Sequence, residues 1–379
     1  MTWTETTLGD LITLQRGYDL PSKNRVPGPV PVLSAGEKIS YHNEAKVAGP
    51  GFVIGRSTNL GIPRWSDEDF WPLNTTLFAK DFKGNNPRWL FYLFQILDLS
   101  GFDSGTAQGS LNRNYIGSFR VSAPDKNEQD RIVDVIGSLD EKIAANREVQ
   151  RLTDEIIQSL WRKLINEDSG FVELGDVVQL NPRTTAPKGS TLTTIEMKNL
   201  PESGFSVDTW TVQEAKGGSR YRNGDTLLAR ITPCFENGKC GYVDFLESDE
   251  VGAGSTEFIV LRPRAGVPTA APYAIARSPE FRTFAAQTMT GTSGRQRVQP
   301  RDLETHEIAW PSEDLIADFE AKSSPLLDLA GKLRDENRNL AKTRDELLPL
   351  LMSGKITVKE VEQKATATGA DIANKENTA

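Results

Sequence analysis

The decapeptide "NREVQRLTDE" at residues 146–155 returns in altered form as "NRNLAKTRDE" at residues 337–346. Both begin with Asn-Arg and end with Asp-Glu, and each lies in a long charged stretch whose apolar residues recur every three or four positions. These apolar positions fall within residues 132–164 in the first stretch and within 326–351 in the second. A narrow apolar stripe of this spacing is typical of a coiled-coil helix. The sequence therefore predicts two long helices, one near the middle of the chain and one near its end.

Segments of the first half of the chain return in the second half in the same order. The matched pairs are "LGDLITLQR" at 8–16 with "LGDVVQLNPR" at 174–183, "GRSTNLG" at 55–61 with "ARITPCFENGKCG" at 229–241, "NTTLFA" at 74–79 with "GSTEFIV" at 254–260, and "GTAQGSLNRNYIGSFRVSAP" at 105–124 with "GTSGRQRVQPRDLETHEIAWP" at 291–311. Each match is weak by itself, but together with the helical repeat they form a colinear series. The sequence therefore predicts an internal duplication, in which each half is a globular segment followed by a helix.

Both globular segments contain short alternating or apolar runs bounded by Gly, Pro, Asn and Asp, which indicate strands, with helical runs between them. We therefore predict an α+β fold in which two similar globular domains are separated by two long antiparallel coiled-coil helices, related by an internal pseudo-twofold repeat. The predicted parts are a first domain at 1–125, a central helix at 126–168, a second domain at 169–311, a C-terminal helix at 312–361 and a disordered tail at 362–379.

Two features of the helices carry specific expectations. Asn146 and Asn337 begin the repeated decapeptides at positions where an apolar seam residue is expected, and a polar residue at such a position fixes the register of a helix pair. Gly331 and Pro349 interrupt the second stripe, and both residue types disfavour a helix interior. We therefore expect a register contact at the asparagines and a break or frayed turn in the second helix.

The composition of the 379-residue chain is that of a globular protein with room for two cores. Cys234 and Cys240 are too few for a disulfide framework, and the N-terminus lacks the pattern of a signal peptide. The chain has no apolar run near the roughly 18 residues that cross a bilayer. The sequence predicts a cytoplasmic protein without a membrane partner.

The sequence offers little for catalysis. It contains no Gly-Lys-Ser/Thr phosphate loop, and the segment "VGAGSTEF" at 251–258 lacks the third glycine of a dinucleotide loop. The two histidines, His42 and His306, are isolated, and the cysteine pair lacks the second ligand pair of a zinc site. We therefore predict no catalytic residue, no metal and no cofactor bound by this chain.

Two pairs of matched loops contain residues suited to DNA. The net charge of −8 does not forbid this role, because local clusters set the field at a binding face and the acidic excess lies mainly on the helical stretches. Arginine reads guanine, asparagine and glutamine read adenine, and Ser, Thr and Lys hold phosphates. The candidates in the hairpin loops are Arg56, Ser57, Thr58 and Asn59 in the first half, and Arg230, Thr232, Asn237 and Lys239 in the second; the candidates in the later loops are Gln108, Ser110, Asn112 and Arg113, and Ser293, Arg295, Gln296 and Arg297. The same residues are also typical of turns and solvated surface, and that alternative stays open here.

With these residues in view, nearly the whole chain resembles the specificity subunits of Type I restriction-modification enzymes. The resemblance rests on "LGDLITLQRG", "SAGE", "GRSTNLG" with "FWPLNTTLFA", "ARITPCFENGK", "NEQDRIVDVIGSLDEKI" and "RDELLPLLMSGKI". It implies a non-catalytic DNA reader with two target-recognition domains, each binding one half of a bipartite double-stranded target, and with helices whose length fixes the gap.

The resemblance also implies partners. Such subunits assemble with two methyltransferase subunits, which use S-adenosylmethionine, and with restriction subunits that translocate DNA and use ATP with Mg²⁺. A different class of function remains, namely a coiled-coil adaptor whose two heads bind proteins. Selection of a split DNA motif distinguishes the two.

Overall fold

In a computed structural model of the protein, residues 3–36, 39–99, 101, 110–165, 169–187, 189–214, 217–292 and 294–363 are described. The chain forms two compact units. The first unit comprises Met1–Glu141 together with Ala341–Ala379, and the second comprises Lys142–Leu340. In the described ranges, no helix combines the length and the apolar character needed to cross a membrane.

Between residues 3 and 123, the described part of the first unit forms nine short strands and three short α-helices. Segments of two long helices and a helical segment at residues 358–363 also belong to this unit. The elements are β1 (Thr4–Thr7), α1 (Leu8–Leu11), β2 (Thr13–Arg16), β3 (Val30–Leu33), β4 (Ser40–His42), β5 (Gly51–Gly55), β6 (Pro63–Ser66), β7 (Trp71–Pro72), β8 (Thr76–Asp81), α2 (Pro87–Ile96), α3 (Arg113–Gly117) and β9 (Arg120–Ala123). They form sheets in the orders β2-β8-β5-β6, β4-β3-β7 and β1-β9.

The second unit repeats this plan. Its elements are β10 (Gly170–Glu173), α5 (Leu174–Val177), β11 (Val178–Leu180), β12 (Thr191–Ile195), β13 (Thr211–Glu214), β14 (Ser219–Tyr221), β15 (Thr226–Ala229), β16 (Cys240–Tyr242), β17 (Gly252–Gly254), β18 (Phe258–Pro263), α6 (Ala271–Arg277), α7 (Pro279–Gln287), α8 (Pro300–Glu304) and β19 (Glu307–Trp310). The sheet orders are β11-β18-β15-β16, β13-β12-β17-β14 and β10-β19. The sheet β2-β8-β5-β6 of the first unit and the sheet β11-β18-β15-β16 of the second unit have the same topology. The sheets β4-β3-β7 and β13-β12-β17-β14 each contain one parallel pair, β3 with β7 and β12 with β17. The predicted α+β class and internal repeat are confirmed.

In each unit, side chains on both faces of a central strand are buried. In β5, Phe52 contacts the rings of Phe91 and Phe94 on α2, whereas Val53 faces the opposite way and packs with Phe70 and other buried residues. Successive side chains of a strand point to opposite faces, so the run "GFVIG" is buried throughout. In β15, Leu228 and Leu227 divide between two cores in the same manner.

Two long helices, α4 (Lys126–Leu164) and α9 (Glu313–Met352), pack on each other within both units. In the second unit, Trp161 contacts Phe319 at a ring-centroid distance of 5.2 Å, and Gln150 Nε2 donates to Ala330 O at 3.1 Å. Residues later in α4 thus contact residues earlier in α9, so the two helices run antiparallel in this unit. In the first unit, Arg344 Nη1 donates to Asp140 Oδ1 at 2.9 Å, which continues the same trend. The predicted antiparallel helix pair is confirmed.

A buried tyrosine joins the globular part of each unit to α4. Tyr92 on α2 donates its hydroxyl hydrogen to Asp140 Oδ2 at 2.7 Å, and burial raises the pKa of Tyr92 to about 12. Tyr273 on α6 makes the corresponding bond to Asp154 Oδ1 at 2.7 Å. A buried hydroxyl without a partner is costly, so each bond favours one fixed placement of the globular part on its stretch of helix.

The break expected in the second helix does not occur, and that expectation was wrong. Helix α9 is continuous through Gly331 and Pro349. A Cβ atom at Gly331 would lie 2.7 Å from Asp244 Oδ2, so the glycine makes room for a carboxylate from the globular part of the second unit. The same carboxylate forms an ion pair with Arg334, whose side chain is only 2% exposed.

Aromatic rings complete the contact between α9 and the second unit's globular part. Trp210 and Phe245 stack at 4.3 Å, and the Arg334 guanidinium lies 5.7 Å and 5.6 Å from these two ring centroids. Arg338, one turn further along α9, lies 3.7 Å from the Trp210 ring. We name Asp244, Gly331, Arg334, Trp210 and Phe245 the α9 clasp.

The predicted division into domains stays a prediction, because the two compact units each combine a globular part with segments of both long helices. Of the tail predicted at 362–379, only residues 362 and 363 lie among the described residues, and these two are helical.

Candidate nucleic-acid interface

Each unit has a hairpin loop with an arginine at its first position. The loop between β5 and β6 begins at Arg56, and the loop between β15 and β16 begins at Arg230. The first loop turns tightly, because a Cβ at Gly55 would lie 2.1 Å from Asn59 O. The sequence match therefore corresponds to one structural feature that occurs twice.

Arg56 joins the hairpin loop of the first unit to the later loop. Its amide donates to Thr75 O at 2.9 Å, and its carbonyl accepts from Leu111 N at 2.9 Å. Its side chain donates to Asn74 O at 3.2 Å and to Ser110 Oγ at 3.0 Å. Burial lowers the pKa of Arg56, and the nearby Arg16 cation adds to that effect. The predicted residues Arg56 and Ser110 are thus brought into direct contact.

The remaining candidates of the first unit divide into exposed and anchored side chains. Thr58 is exposed, and Ser57 is half-buried. Asn59 has a positive φ of 47° and donates from Nδ2 to Ala35 O at 2.7 Å. Asn112 caps α3 by accepting from Asn114 N at 3.0 Å, and Arg113 follows it as an exposed residue. Gln108 lies outside the described residues.

The second unit repeats the main-chain bonds of the first. Arg230 N donates to Glu257 O at 2.9 Å, and Arg230 O accepts from Val298 N at 2.9 Å. Arg230 therefore corresponds to Arg56, Glu257 to Thr75 and Val298 to Leu111. We call this arrangement the loop frame. In it, the main chain of the hairpin arginine is bonded to the turn before β8 or β18 and to the later loop.

Three hairpin-loop candidates of the second unit are engaged within the protein. Thr232 is buried; its amide donates to Gln296 O at 3.0 Å, and its hydroxyl accepts from Gln296 N at 3.1 Å. Lys239 Nζ donates to Met197 O and Leu200 O, both at 3.0 Å. Exposed Asn237 donates to the carboxylate of Glu202 at 3.3 Å. These contacts bring Thr232 and Gln296 together, and they direct Lys239 towards main-chain carbonyls.

The later loop of the second unit presents two arginines. Arg295 is exposed, and its carbonyl accepts from Arg297 Nη1 at 3.3 Å. Arg297 forms a bidentate ion pair with Glu257, with Nη2 2.7 Å from Oε1 and Nε 2.9 Å from Oε2. This bonding holds the pKa of the Glu257 carboxyl below its ordinary value. Ser293 lies outside the described residues.

Sequence reasoning missed Glu257. The later loop contains no acid of its own, and the carboxylate comes from the turn that precedes β18, 40 residues earlier in the chain. The available signal was the match between "NTTLFA" and "GSTEFIV", which places a glutamate in the second half of the chain where the first half has a threonine.

Asn146 and Asn337 meet between the long helices, within the second unit. Asn146 is 3% exposed, and its Nδ2 donates to Asn337 Oδ1 at 3.0 Å and to Glu336 Oε2 at 2.7 Å. A buried amide that is bonded across a helix seam disfavours sliding of one helix along the other. Their role in setting the register stays a prediction.

A family model matches the first part of the chain. The model for the Type I restriction modification DNA specificity domain matches residues 1–153, which include the first loop frame and the first part of α4. Over these residues the chain is similar to the DNA specificity domains of Type I restriction-modification systems.

Two curated proteins are similar to part of this chain. The specificity subunits of the Escherichia coli Type I restriction enzymes EcoAI and EcoEI are 28% identical over 166 residues and 30% identical over 139 residues. These alignments cover 42% and 36% of this chain but 27% and 23% of the two relatives. The matched region therefore spans about a quarter of each curated relative.

A solved structure extends the likeness of fold. The crystal structure of a Type I restriction-modification system S subunit from M. genitalium has a TM-score of 0.59 at 14% identity, covering 92% of this chain and 96% of the other chain. At this identity the likeness concerns the fold alone. In the part of the chain that the structure describes, no group of three or more His, Cys, Asp and Glu side chains is placed to hold a metal ion.

Proposed function

We propose that this chain is the DNA-binding specificity subunit of a Type I restriction-modification complex, and that each unit reads one half of a bipartite duplex target. One observation carries the proposal: the loop frame, with an arginine at its centre, occurs twice in a chain whose first 153 residues match a DNA specificity domain. The subunit itself performs no chemistry.

Within each loop frame, main-chain bonds hold the arginine while neighbouring side chains face solvent. Arg113 and Arg295 are exposed, each within three residues of the later-loop residue that is bonded to Arg56 or Arg230, and Thr58 is exposed in the first hairpin loop. Arginine recognises the O6 and N7 atoms of guanine, whereas hydroxyl groups hold phosphates. Each unit thus supplies a rigid reader together with groups that fix its register on the duplex.

The long helices serve as spacer and docking surface in this proposal. Along α4, Val149, Leu152 and Ile156 lie on one face and are 38%, 42% and 47% exposed. A row of exposed apolar residues on a helix fits a partner helix better than it fits water. The expected partners are two methyltransferase subunits that use S-adenosylmethionine, and restriction subunits that use ATP with Mg²⁺. The expected compartment is the cytoplasm, where DNA is accessible.

The test is a selection from a pool of random-sequence duplexes, using the full chain assembled with its methyltransferase subunits. The expected product is a motif with two specified halves and an unspecified gap of fixed length. A pool that yields no split motif overturns the proposal and favours an adaptor with two protein-binding heads.

Matched variants assign the halves. We expect Arg56→Gln to relax one half-site and Arg230→Gln to relax the other, each by about 1–3 kcal/mol of discrimination. Lys80→Gln, which removes an exposed cation on β8, should change neither half-site. If an arginine variant weakens binding equally on all sequences and reduces the salt slope, that arginine contacts phosphate instead.

A further inference from the structure

Glu257 is the residue that joins the two loops of the second loop frame. Its carbonyl accepts from Arg230 N at 2.9 Å, in the hairpin loop. Its carboxylate accepts from Arg297, in the later loop, and its amide donates to Ser255 Oγ at 3.1 Å. An acid at this point is unexpected in a surface that binds a polyanion, so its presence needs a physical reason.

The geometry of the ion pair determines which edge of the Arg297 guanidinium is used. Nε lies 3.0 Å and 2.9 Å from the two carboxylate oxygens of Glu257, and Nη2 lies 2.7 Å from Oε1. The carboxylate therefore occupies the edge formed by Nε and Nη2. The edge formed by Nη1 and Nη2 is the other one. Nη1 donates one of its two hydrogens to Arg295 O at 3.3 Å, which leaves one N–H on Nη1 and one on Nη2 for this edge, and the Arg297 side chain is 39% exposed. An arginine held in this way can place two parallel N–H donors on a guanine.

The main chain of Arg297 is fixed as well. Its amide donates to Thr290 O at 2.9 Å, and its carbonyl accepts from Thr290 N at 3.1 Å. Backbone and guanidinium are thus both held before DNA arrives. This preorganisation reduces the entropy lost when a side chain binds a base.

We propose that Glu257 is a specificity-determining positioning residue for the half-site read by the second unit. It orients Arg297 towards a guanine, and it offsets the arginine charge that would otherwise attract any phosphate. The inference rests on the proposed function and extends it to a residue outside the predicted DNA-contacting set.

Electrostatics explains how an acid can improve discrimination. Contacts to phosphate depend on net charge and add affinity for every duplex, whatever its sequence. The Arg297 and Glu257 pair carries no net charge, so its attraction for a phosphate is weak. Guanine presents two neutral acceptors in the major groove, and these still accept from the Nη1 and Nη2 edge. The carboxylate thus lowers affinity for non-target DNA more than affinity for target DNA.

The first unit provides an internal comparison. At the position of Glu257 it has Thr75, whose hydroxyl oxygen accepts from Ala35 N at 3.4 Å. At the position of Arg297 it has Ser110, to which Arg56 donates. The two loop frames share their main-chain bonds but differ in the groups between the loops. A change at Glu257 should therefore affect one half-site and leave the other as it was.

The test measures wild type, Glu257→Gln, Arg297→Gln and the double variant, each as the full chain assembled with its methyltransferase subunits. Affinities are titrated on the selected duplex, on duplexes altered in either half-site, and on an unrelated duplex at several salt concentrations. For Glu257→Gln we expect discrimination at the second half-site to fall roughly 5- to 150-fold, the range of one good arginine to guanine contact. Non-target affinity should rise, with a salt slope steeper by about 0.9, as one more phosphate is neutralised.

The double variant separates action through Arg297 from an independent effect. If Glu257 works by holding Arg297, the double variant should match Arg297→Gln in discrimination, which a double-mutant cycle measures directly. Glu247→Gln removes an exposed acid of the same unit that is not bonded to Arg297, and it should leave discrimination unchanged. Thermal midpoints establish that every variant is folded, and Glu257→Asp, which keeps the charge on a shorter side chain, should fall between wild type and Glu257→Gln.

Two outcomes overturn the inference while leaving the proposed function intact. One is a Glu257→Gln variant that selects the wild-type motif with unchanged discrimination and salt slope. The other is a fall in discrimination that is additive with Arg297→Gln. A wild-type complex that selects no split motif is a failure of the proposed function itself, and it is seen before any variant is compared.

Discussion

Replacing Arg334 by methionine tests whether the α9 clasp holds the second unit together. The Arg334 side chain is 2% exposed and that of Asp244 is 20% exposed, so the substitution leaves a largely buried carboxylate without its cation. Removing one partner of a buried ion pair costs about 3–5 kcal/mol, and the partial exposure of Asp244 reduces this to roughly 2–4 kcal/mol. Methionine keeps most of the apolar contact with Trp210 and Phe245, so the loss of stability measures mainly the effect of leaving the Asp244 carboxylate unpaired.

The penalty should depend on pH in a defined direction. Burial raises the pKa of Asp244 above its ordinary value, and the Arg334 guanidinium acts against this effect. In the variant this opposing interaction is absent, so the folded-state pKa lies further above the unfolded one. A folded carboxyl with a raised pKa loses stability as pH rises from the unfolded pKa towards the folded one. We therefore expect Arg334→Met to be less destabilising at acidic than at neutral pH.

Urea unfolding followed by circular dichroism measures the free energy, and hydrogen exchange of the peptide around Asp244 locates the loss. Arg338→Met is the matched control, because Arg338 contacts the same Trp210 ring but is exposed, and removing an exposed cation–π contact costs about 0.5–1 kcal/mol. Arg334→Met with Asp244→Leu should recover much of the stability. If Arg334→Met is no less stable than Arg338→Met, or if the second substitution restores nothing, the reasoning is refuted.

Three further predictions concern two glycine substitutions in the long helices, the length of those helices and the pH dependence of DNA discrimination. Gly331→Ala should lower the free energy of unfolding by about 1–3 kcal/mol, because its Cβ would clash with Asp244. Gly137→Ala on α4 should raise it by about 0.4–1 kcal/mol, because a Cβ there would meet only Tyr92 Oη at 4.0 Å. Urea unfolding of both variants measures the difference. Deleting one heptad from each long helix removes about 10 Å of helix length, which corresponds to roughly three base pairs of duplex. The selected motif should therefore keep both specified halves, and the gap between them should shorten by about three base pairs. An unchanged gap contradicts the spacer role of the helices. The pKa of Glu257 is lowered, so its ion pair with Arg297 is complete above the ordinary glutamate pKa of about 4.3 and is lost only as pH falls through the lower folded-state pKa. Binding titrations should therefore show constant discrimination at the second half-site from about pH 6 to 8. A decline of discrimination in that range argues against the ion pair.

Local patterns determined what the sequence could predict. The long helices follow from apolar spacing, which needs no tertiary information, and the duplicated plan follows from matched segments in the same order. The hairpin loops with Arg56 and Arg230 were predicted for the same reason, since turn residues and flanking strands are local signals. The register contact was predicted as a pair of polar positions, although their bond across the helices is a tertiary fact.

Tertiary contacts account for what the sequence could not reveal. Gly331 was interpreted by its intrinsic helix propensity, but its physical role is to admit Asp244, a residue 87 positions earlier in the chain. Lys239 looked like a phosphate ligand, yet its ammonium group is directed to two carbonyls from another segment. Glu257 was overlooked because its partner is distant in sequence. In each case the surroundings of a polar group, and not its type, decide what it does.

The loop frames have a consequence for how such a chain changes over generations. Each frame is joined by main-chain bonds, from Arg56 or Arg230 to the turn before β8 or β18 and to the later loop. Peptide groups make these bonds whatever side chains they carry, so substitutions in the loops leave the attachment intact. Mutation can therefore alter the recognised bases of one unit while the strands and long helices persist, and new preferences can arise one half-target at a time on an inherited scaffold.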